Sequence, residues 1–249
     1  ARTSPDTHPM SALRTAISAA SHLDPDCEDN SPEAELRKSK RLMASIPAMI
    51  GAHQRALEGK EAVAPDPSLS HAANLLLCIT GERPGEIAAK VMDVSLILYA
   101  EHDFNASTFT CRVIASTMSD MHSAICGGIG ALKGPLHGGA NEAAMDMLAE
   151  IMEAVEGGAT ADAWLKNAFA TKRKLMGFGH RVYKNGDHRA GILREWGLKY
   201  SDQENPDAKK WFDLGDEVQD IMLREKNIHP NVDYPCGMTY YSMGIPVPQ

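Results

Sequence analysis

The sequence predicts an all-α protein, and three observations carry that expectation. Aromatic residues make up only 6% of the 249, while Ala, Leu and 13 Met abound, a mix that favours helices over strands. Val, Ile and Thr nowhere alternate with polar residues over a useful length, so no segment shows the two-residue period of a half-buried strand. Between Pro84 and Pro135 there is no proline at all, and Ile87, Val91, Val94 and Leu98 recur there at the spacing of one helix face. The chain is long enough for one large or two modest domains. Two lobes are expected.

Residues 1–32 are punctuated by Pro5, Pro9, Pro25 and Pro32, with room for one helix over about 11–21. From Glu33 to Leu57 a helical pattern runs through Leu36, Met43, Ile46 and Ile50, with Pro47 as an expected kink. A loop at 59–67 follows, then a helix over about 69–79, and GERPGE reads as stop, turn and restart. The run containing Ile87 to Leu98 is interrupted by EHDFNAS. A second run places Phe109, Val113, Met121 and Ile125 inward until Gly127, Gly128 and Gly130 loosen it, and these two runs are the expected core helices. Asn141, after the Gly-rich bend GPLHGGAN, is placed to cap a helix over 142–155 with Ala144, Leu148, Ile151 and Val155 on its apolar face. Further helices are expected over 161–174, 190–200 and 208–226.

The formal net charge is −8, which argues against a nucleic-acid binder. No apolar run is long enough to span a membrane and no signal peptide is visible at the start, so a cytoplasmic or organellar protein is expected. The five cysteines are odd in number and scattered without a CxxC pair, so reduced, mostly buried thiols are the default.

One segment reverses the charge. Residues 172–189 carry Lys172, Arg173, Lys174, Arg181, Lys184 and Arg189 against one acid, Asp187. Such crowding of one sign is relieved by an anionic ligand, and Gly177 and Gly179 let the backbone approach one closely. His180 sits at its centre, placed to exchange a proton near neutral pH.

Three more interruptions, rich in Gly, Asn or Pro, each hold a titratable residue: EHDFN with His102, GPLHGGAN with His137 and PNVDYPCG with Asp233. His137 precedes a helix start, where positive partial charge disfavours imidazolium and suits a neutral ring to donate to a developing oxyanion. Taken singly, His102 also fits a capping or core histidine, and Asp233 a turn or N-cap aspartate. Together they allow two chemistries. Three His and one Asp could hold zinc with an open position, although none are spaced as a local pair. Alternatively a carboxylate removes a proton beside a carbonyl while imidazoles polarise oxygens, without metal. The cations beside His180 favour the second.

In order and spacing, EHDFNAS, GPLHGGANEA, MGFGHRVYKNGDHRA and PNVDYPCG closely resemble the citrate synthase family, including its 2-methylcitrate synthase members. The resemblance covers most of the chain, from HPM near the start to GIP near the end. It implies a large helical domain over 1–138, a smaller one over 139–240 that closes over the substrates, and the start of a return to the large domain over 241–249. It also implies a homodimer, no bound cofactor or metal, and oxaloacetate and an acyl-CoA thioester as substrates. Asp233 matches the general base that takes the thioester α-proton, and His137 the donor to the thioester oxygen. His180 matches the group polarising the ketone of oxaloacetate. His102 matches a further oxaloacetate contact, and Arg189 an arginine that grips a substrate carboxylate. The backbone around Met176, Gly177, Phe178 and Gly179, with Asn231, resembles the coenzyme A contact region, and Lys226 is a candidate phosphate contact.

One departure accompanies the match. Family members supply two more arginines beyond the GIP segment, whereas no Lys or Arg follows Lys226 here, so the sequence is expected to be a core portion of a longer protein. The implied reaction is condensation of acetyl-CoA or propionyl-CoA with oxaloacetate, and the segment YPCGMTYYSMG after Asp233 leans slightly toward 2-methylcitrate synthases. The alternatives are a metal-dependent hydrolase using His102, His137, His180 and Asp233, and a non-catalytic CoA-binding helical module.

Overall fold

The computed structural model describes residues 7–100, 102, 105–134, 137–180 and 182–247. Among these the chain forms eleven α-helices, two 3-10 turns and no strand, with one β-bridge between Phe178 and Pro230.

Most helices start where a short polar side chain meets an orphan N–H of the first turn. Helix α1 (Pro9–Ala20) begins with Pro at its first position and His8 Nδ1 accepting from Met10 N. Helix α2 (Pro32–Leu57) is capped by Ser31, α3 (His71–Thr80) by Ser70, α5 (Ala106–Ala115) by Asn105 and α6 (Met121–Leu132) by Asp120. Gly81 ends α3 in the left-handed conformation, φ 81°. Helix α4 (Glu86–Tyr99) is capped from afar: Glu204 accepts from Ile87 N at 2.9 Å and Ala88 N at 3.1 Å. Then follow α7 (Ala140–Glu156), α8 (Ala161–Ala170), α9 (His188–Gln203), α10 (Lys209–Lys226) and α11 (Asp233–Ser242).

The helices fall into two units. One takes residues 7–84 and the described part of 99–139; the other takes 85–98 and 140–247. In the first, α2 packs on α3, α5 on α6, and α1 on both α2 and α6. In the second, α11 lies against α7, α9 and α10, over a core that includes Leu148, Ile151, Leu165, Phe212, Val218, Tyr234 and Met238. This grouping differs from a contiguous split at 138, because α4 joins the second unit. Beyond the Glu204 cap, Ser95 Oγ lies 2.9 Å from Tyr240 Oη, and Leu98 packs on Leu193, Val232 and Cys236.

Several helix faces depart from the apolar periodicity. In α2, Leu36 and Met43 are exposed, and the buried side is Ala34, Lys38, Leu42, Pro47, Gly51 and Gln54. Gly51 explains the turn: a β-carbon there would collide with Cys78 of α3, so close backbone approach, not bulk, sets the face. The run through Phe109 and Met121 is two helices, broken where Met118 adopts φ 64°. Phe109 is 64% and Val113 50% exposed. Gly127 and Gly128 lie inside α6, where they admit Ile114 and Cys111 of α5. Asn141 is within α7, not at its cap, and its Nδ2 donates to Cys236 Sγ at 3.1 Å. Helix α8 stops at Ala170, followed by Lys172 at φ 56°. Helix α11 shows no stripe because it is buried almost all round, with Pro235 tolerated in its first turn. Only Cys78 and Cys236 are buried; the other three cysteines are half-buried. Among the described residues no helix is long and apolar enough to cross a membrane.

Candidate active site

In the second unit two chain segments run side by side and hold His180 and Asp233 on one scaffold. Asn231 N donates to Gly177 O at 2.9 Å, Gly179 N donates to His229 O at 2.8 Å, and Asn231 Nδ2 donates to Gly179 O at 2.9 Å. Gly177 and Gly179 have φ 80° and 76°, a region that glycine enters without steric cost. Gly177 is also held in close packing: a β-carbon there would stand 2.9 Å from the Tyr234 side chain and 3.1 Å from Ala144. Phe178 and Tyr234 close the pair with ring centroids 4.5 Å apart. Asp233 is the first residue of α11, and its N–H donates to Asn231 Oδ1 at 3.0 Å. The α11 N-terminus thus carries the carboxylate where the helix dipole favours negative charge.

The imidazole of His180 is oriented by its own turn. Its Nδ1 accepts from Val182 N at 3.0 Å and Tyr183 N at 3.2 Å. An accepting nitrogen carries no proton, so the neutral ring has its N–H at Nε2. Tyr183 stacks on that ring at 4.7 Å and also faces the Arg189 guanidinium at 5.5 Å. Arg189 in turn is held by Asp187, Nε to Oδ1 at 3.0 Å and Nη2 to Oδ2 at 2.9 Å. Asp187 is buried, caps α9, and its Oδ2 also accepts from Val232 N at 3.1 Å. One carboxylate therefore ties the arginine to the residue preceding Asp233. Burial alone would push Asp187 up, but hydrogen bonds from Arg189, its charge, and the Val232 amide outweigh that and hold the carboxyl below its ordinary value.

In the first unit, His137 meets the N-terminus of α5. Ser107 N, in the first turn of α5, donates to His137 Nε2 at 3.3 Å, and Ser107 Oγ lies 2.5 Å from the same nitrogen. Because the amide can only donate, Nε2 is the acceptor and the proton sits on Nδ1. His102 is half-buried; Glu101, Asp103, Phe104, Pro135, Leu136 and Arg181 lie outside the described residues.

The ring assignments weigh against the zinc reading. Each of His137 and His180 uses its one lone-pair nitrogen on backbone N–H groups, and an N–H nitrogen is not a metal ligand. The basic segment is also more compensated than its composition suggests. Arg173 pairs with Glu150 through two bonds of 2.7 and 2.8 Å and lies over Trp164, and Lys184 donates to His180 O at 3.2 Å. Lys226 is exposed, its Nζ 4.4 Å above the Phe169 ring. Asn231, read from sequence as a coenzyme A contact, spends its side chain on Gly179 O and Asp233 N. Sequence reasoning missed Ser107, Tyr183 and the tying role of Asp187. The Asp-x-Arg spacing of 187 and 189 was the one available signal; the others depend on tertiary contacts.

Comparison with known proteins bears on this arrangement. A family model described as citrate synthase, C-terminal domain, matches residues 1–249. The chain is 44% identical over 240 residues to citrate synthase 2 of Bacillus subtilis, covering 96% of this chain and 63% of that protein. It is 41% identical over 245 residues to 2-methylcitrate synthase 1 of Corynebacterium glutamicum, again covering 96% and 63%. Its structure is similar to that of citrate synthase from Pyrobaculum aerophilum, with a TM-score of 0.82 and 36% identity over 97% of this chain and 63% of the other. The ternary complex of carboxymethyl coenzyme A and oxaloacetate with the Thermoplasma acidophilum citrate synthase also aligns, with a TM-score of 0.82 and 31% identity over 98% of this chain and 64% of the other. The chain thus spans about three fifths of the length of the relatives it matches.

Proposed function

The chain belongs to the citrate synthase family, and on that premise we propose that the full-length protein condenses an acyl-CoA thioester with oxaloacetate and then hydrolyses the product thioester. Asp233 takes a proton from the thioester α-carbon while His137 Nδ1–H donates to the thioester oxygen and stabilises the charge that develops there. The resulting enol carbon forms a bond to the ketone carbon of oxaloacetate. His180 Nε2–H donates to the ketone oxygen, which becomes the product hydroxyl. Water then cleaves the thioester, releasing coenzyme A and the tricarboxylate. Arg189 grips an oxaloacetate carboxylate and His102 contacts the same substrate. Coenzyme A lies along Met176, Gly177, Phe178, Gly179 and Asn231, with Lys226 near its phosphates. No metal or bound cofactor takes part.

The observation that carries this reading is the tautomer pair: His137 and His180 are each oriented by backbone amides as neutral donors. A thioester α-proton is too weakly acidic for a carboxylate alone, so such preplaced donors are what the chemistry requires. The test is thiol release from acetyl-CoA and from propionyl-CoA, each with and without oxaloacetate. Release that depends on oxaloacetate supports the condensation, and the ratio of the two thioesters assigns citrate or 2-methylcitrate synthesis; release without oxaloacetate rejects it. Asp233→Ala is expected to lower turnover by about 10²–10⁴-fold with oxaloacetate binding retained, and near-normal turnover would reject the base.

The protein is also proposed to be a cytoplasmic homodimer. Support for the dimer comes from Phe109 and Val113, four residues apart on α5 and both at least half exposed, an apolar pair of the kind that a partner surface covers.

A further inference from the structure

Outside the residues assigned to condensation, the first unit contains a second cluster of reactive side chains. Cys27 lies in the turn before α2, Asp120 caps α6, and His122 is the second residue of α6. Their donor atoms, Sγ, a carboxylate oxygen and a ring nitrogen, all lie within 4.8 Å of one another. His122 is 2% exposed, and its Nδ1 is buried with no hydrogen-bond partner, 3.8 Å from Asp120 Oδ1. A buried polar nitrogen with no partner carries a desolvation cost, and a ligand at that nitrogen removes it. We propose that Cys27, Asp120 and His122 form a structural zinc site that fastens the turn before α2 to the start of α6.

The donor set selects the ion. Thiolate and imidazole suit zinc and exclude magnesium or calcium, which take oxygen ligands. Tetrahedral zinc places such donors about 3.5 Å apart, given bond lengths of about 2.0–2.3 Å. The His122–Asp120 pair is already close to that spacing at 3.8 Å, Cys27 Sγ lies within 4.8 Å of both donors, and water completes the fourth position.

The surroundings support the ion in part and oppose it in part. Asp24 Oδ2 stands 3.6 Å from the other ring nitrogen of His122 and is itself fixed by Arg41. That carboxylate faces the imidazole from beyond hydrogen-bond length and favours positive charge on the ring side it faces. Asp120 donates no proton and keeps lone pairs available beyond its bonds to Ser123. Against the ion stand Arg41 and the buried Lys38, although Lys38 is paired with Glu35. Burial and the nearby carboxylates push the Cys27 thiol up, so binding must release its proton, one per ion. A cavity of about 500 Å³ borders His122 on the side of Asp24 and Arg41.

The inference is independent of the condensation chemistry. The full-length protein, purified without chelator, is loaded with zinc chloride, dialysed and assayed for metal by mass spectrometry, with far-UV circular dichroism as the folding control. One equivalent is expected in the wild type and in Cys126→Ser, falling at least tenfold in Cys27→Ser and in His122→Asn at unchanged helicity. Cobalt substitution of the wild-type protein reads the thiolate directly, whatever the variants do. A thiolate-to-cobalt charge-transfer band is expected, present in Cys126→Ser. Failure of the wild type to retain zinc, retention by His122→Asn, or absence of the charge-transfer band would each overturn the proposal.

Discussion

Asp187 shows how one side chain can serve several ends. It caps α9, holds the Arg189 guanidinium by two bonds and receives the Val232 amide, all from a buried position. We therefore expect Asp187→Asn, which keeps the shape and loses the charge, to weaken oxaloacetate binding in the same direction as Arg189→Ala. It should also lower stability by about 1–3 kcal/mol, the usual cost of a weakened buried polar contact. Calorimetric titration with oxaloacetate and urea unfolding check the two parts, and an unchanged affinity would reject the tie. The carboxyl is held below its ordinary 3.8 in the folded state. A depressed carboxylate stabilises the fold above the unfolded value and loses that contribution as pH falls through the folded one. Acid unfolding below roughly pH 4 should accordingly be shallower in Asp187→Asn than in the wild type.

At the scale of elements, the loops matter as much as the helices. The pairing of 177–179 with 229–231 needs Gly177 at φ 80°, against Tyr234 and Ala144. Gly177→Ala adds both backbone strain and a clash, and a loss of about 1–3 kcal/mol is expected, measured by urea denaturation. Because the same pairing positions His180 and Asp233, turnover should fall with it; a variant as stable as the wild type would show that the loop accommodates a β-carbon. Helix α4 gives a second test. Its first-turn amides are capped by Glu204, more than a hundred residues away in sequence. Glu204→Ala should cost about 0.5–2 kcal/mol, and early loss of hydrogen-exchange protection in 87–90 would locate the effect; unchanged protection there would exclude Glu204 as the cap.

For the whole molecule, the proposed dimer rests on apolar side chains that the described fold leaves exposed. Phe109→Asp places a charge on that face, and sedimentation equilibrium is expected to shift toward monomer. A wild-type protein that sediments as a monomer would dismiss the dimer. Choice between acetyl-CoA and propionyl-CoA is a different matter at this scale, since one methylene in a pocket is worth only about 1–3 kcal/mol. The thiol-release ratio decides it.

The sequence by itself determined the helical class, the positions of eight of the eleven helices to within a few residues, with α5 and α6 read as a single run, and the motifs bearing His102, His137, His180, Arg189 and Asp233. Caps, Pro, Gly and apolar spacing act over one or two turns, so they are written in neighbouring residues. Tertiary structure alone decided which faces are buried, because Gly51 and Gly127 set close crossings that a count of large apolar residues ranks last. It also decided that α11 is a helix, since an element buried all round has no polar face to mark its period. The amide partner of His137, the Asp187–Val232 bond and the Glu204 cap belong to the same class. Each joins residues about thirty or more apart in sequence, and such contacts exist only once the chain has folded.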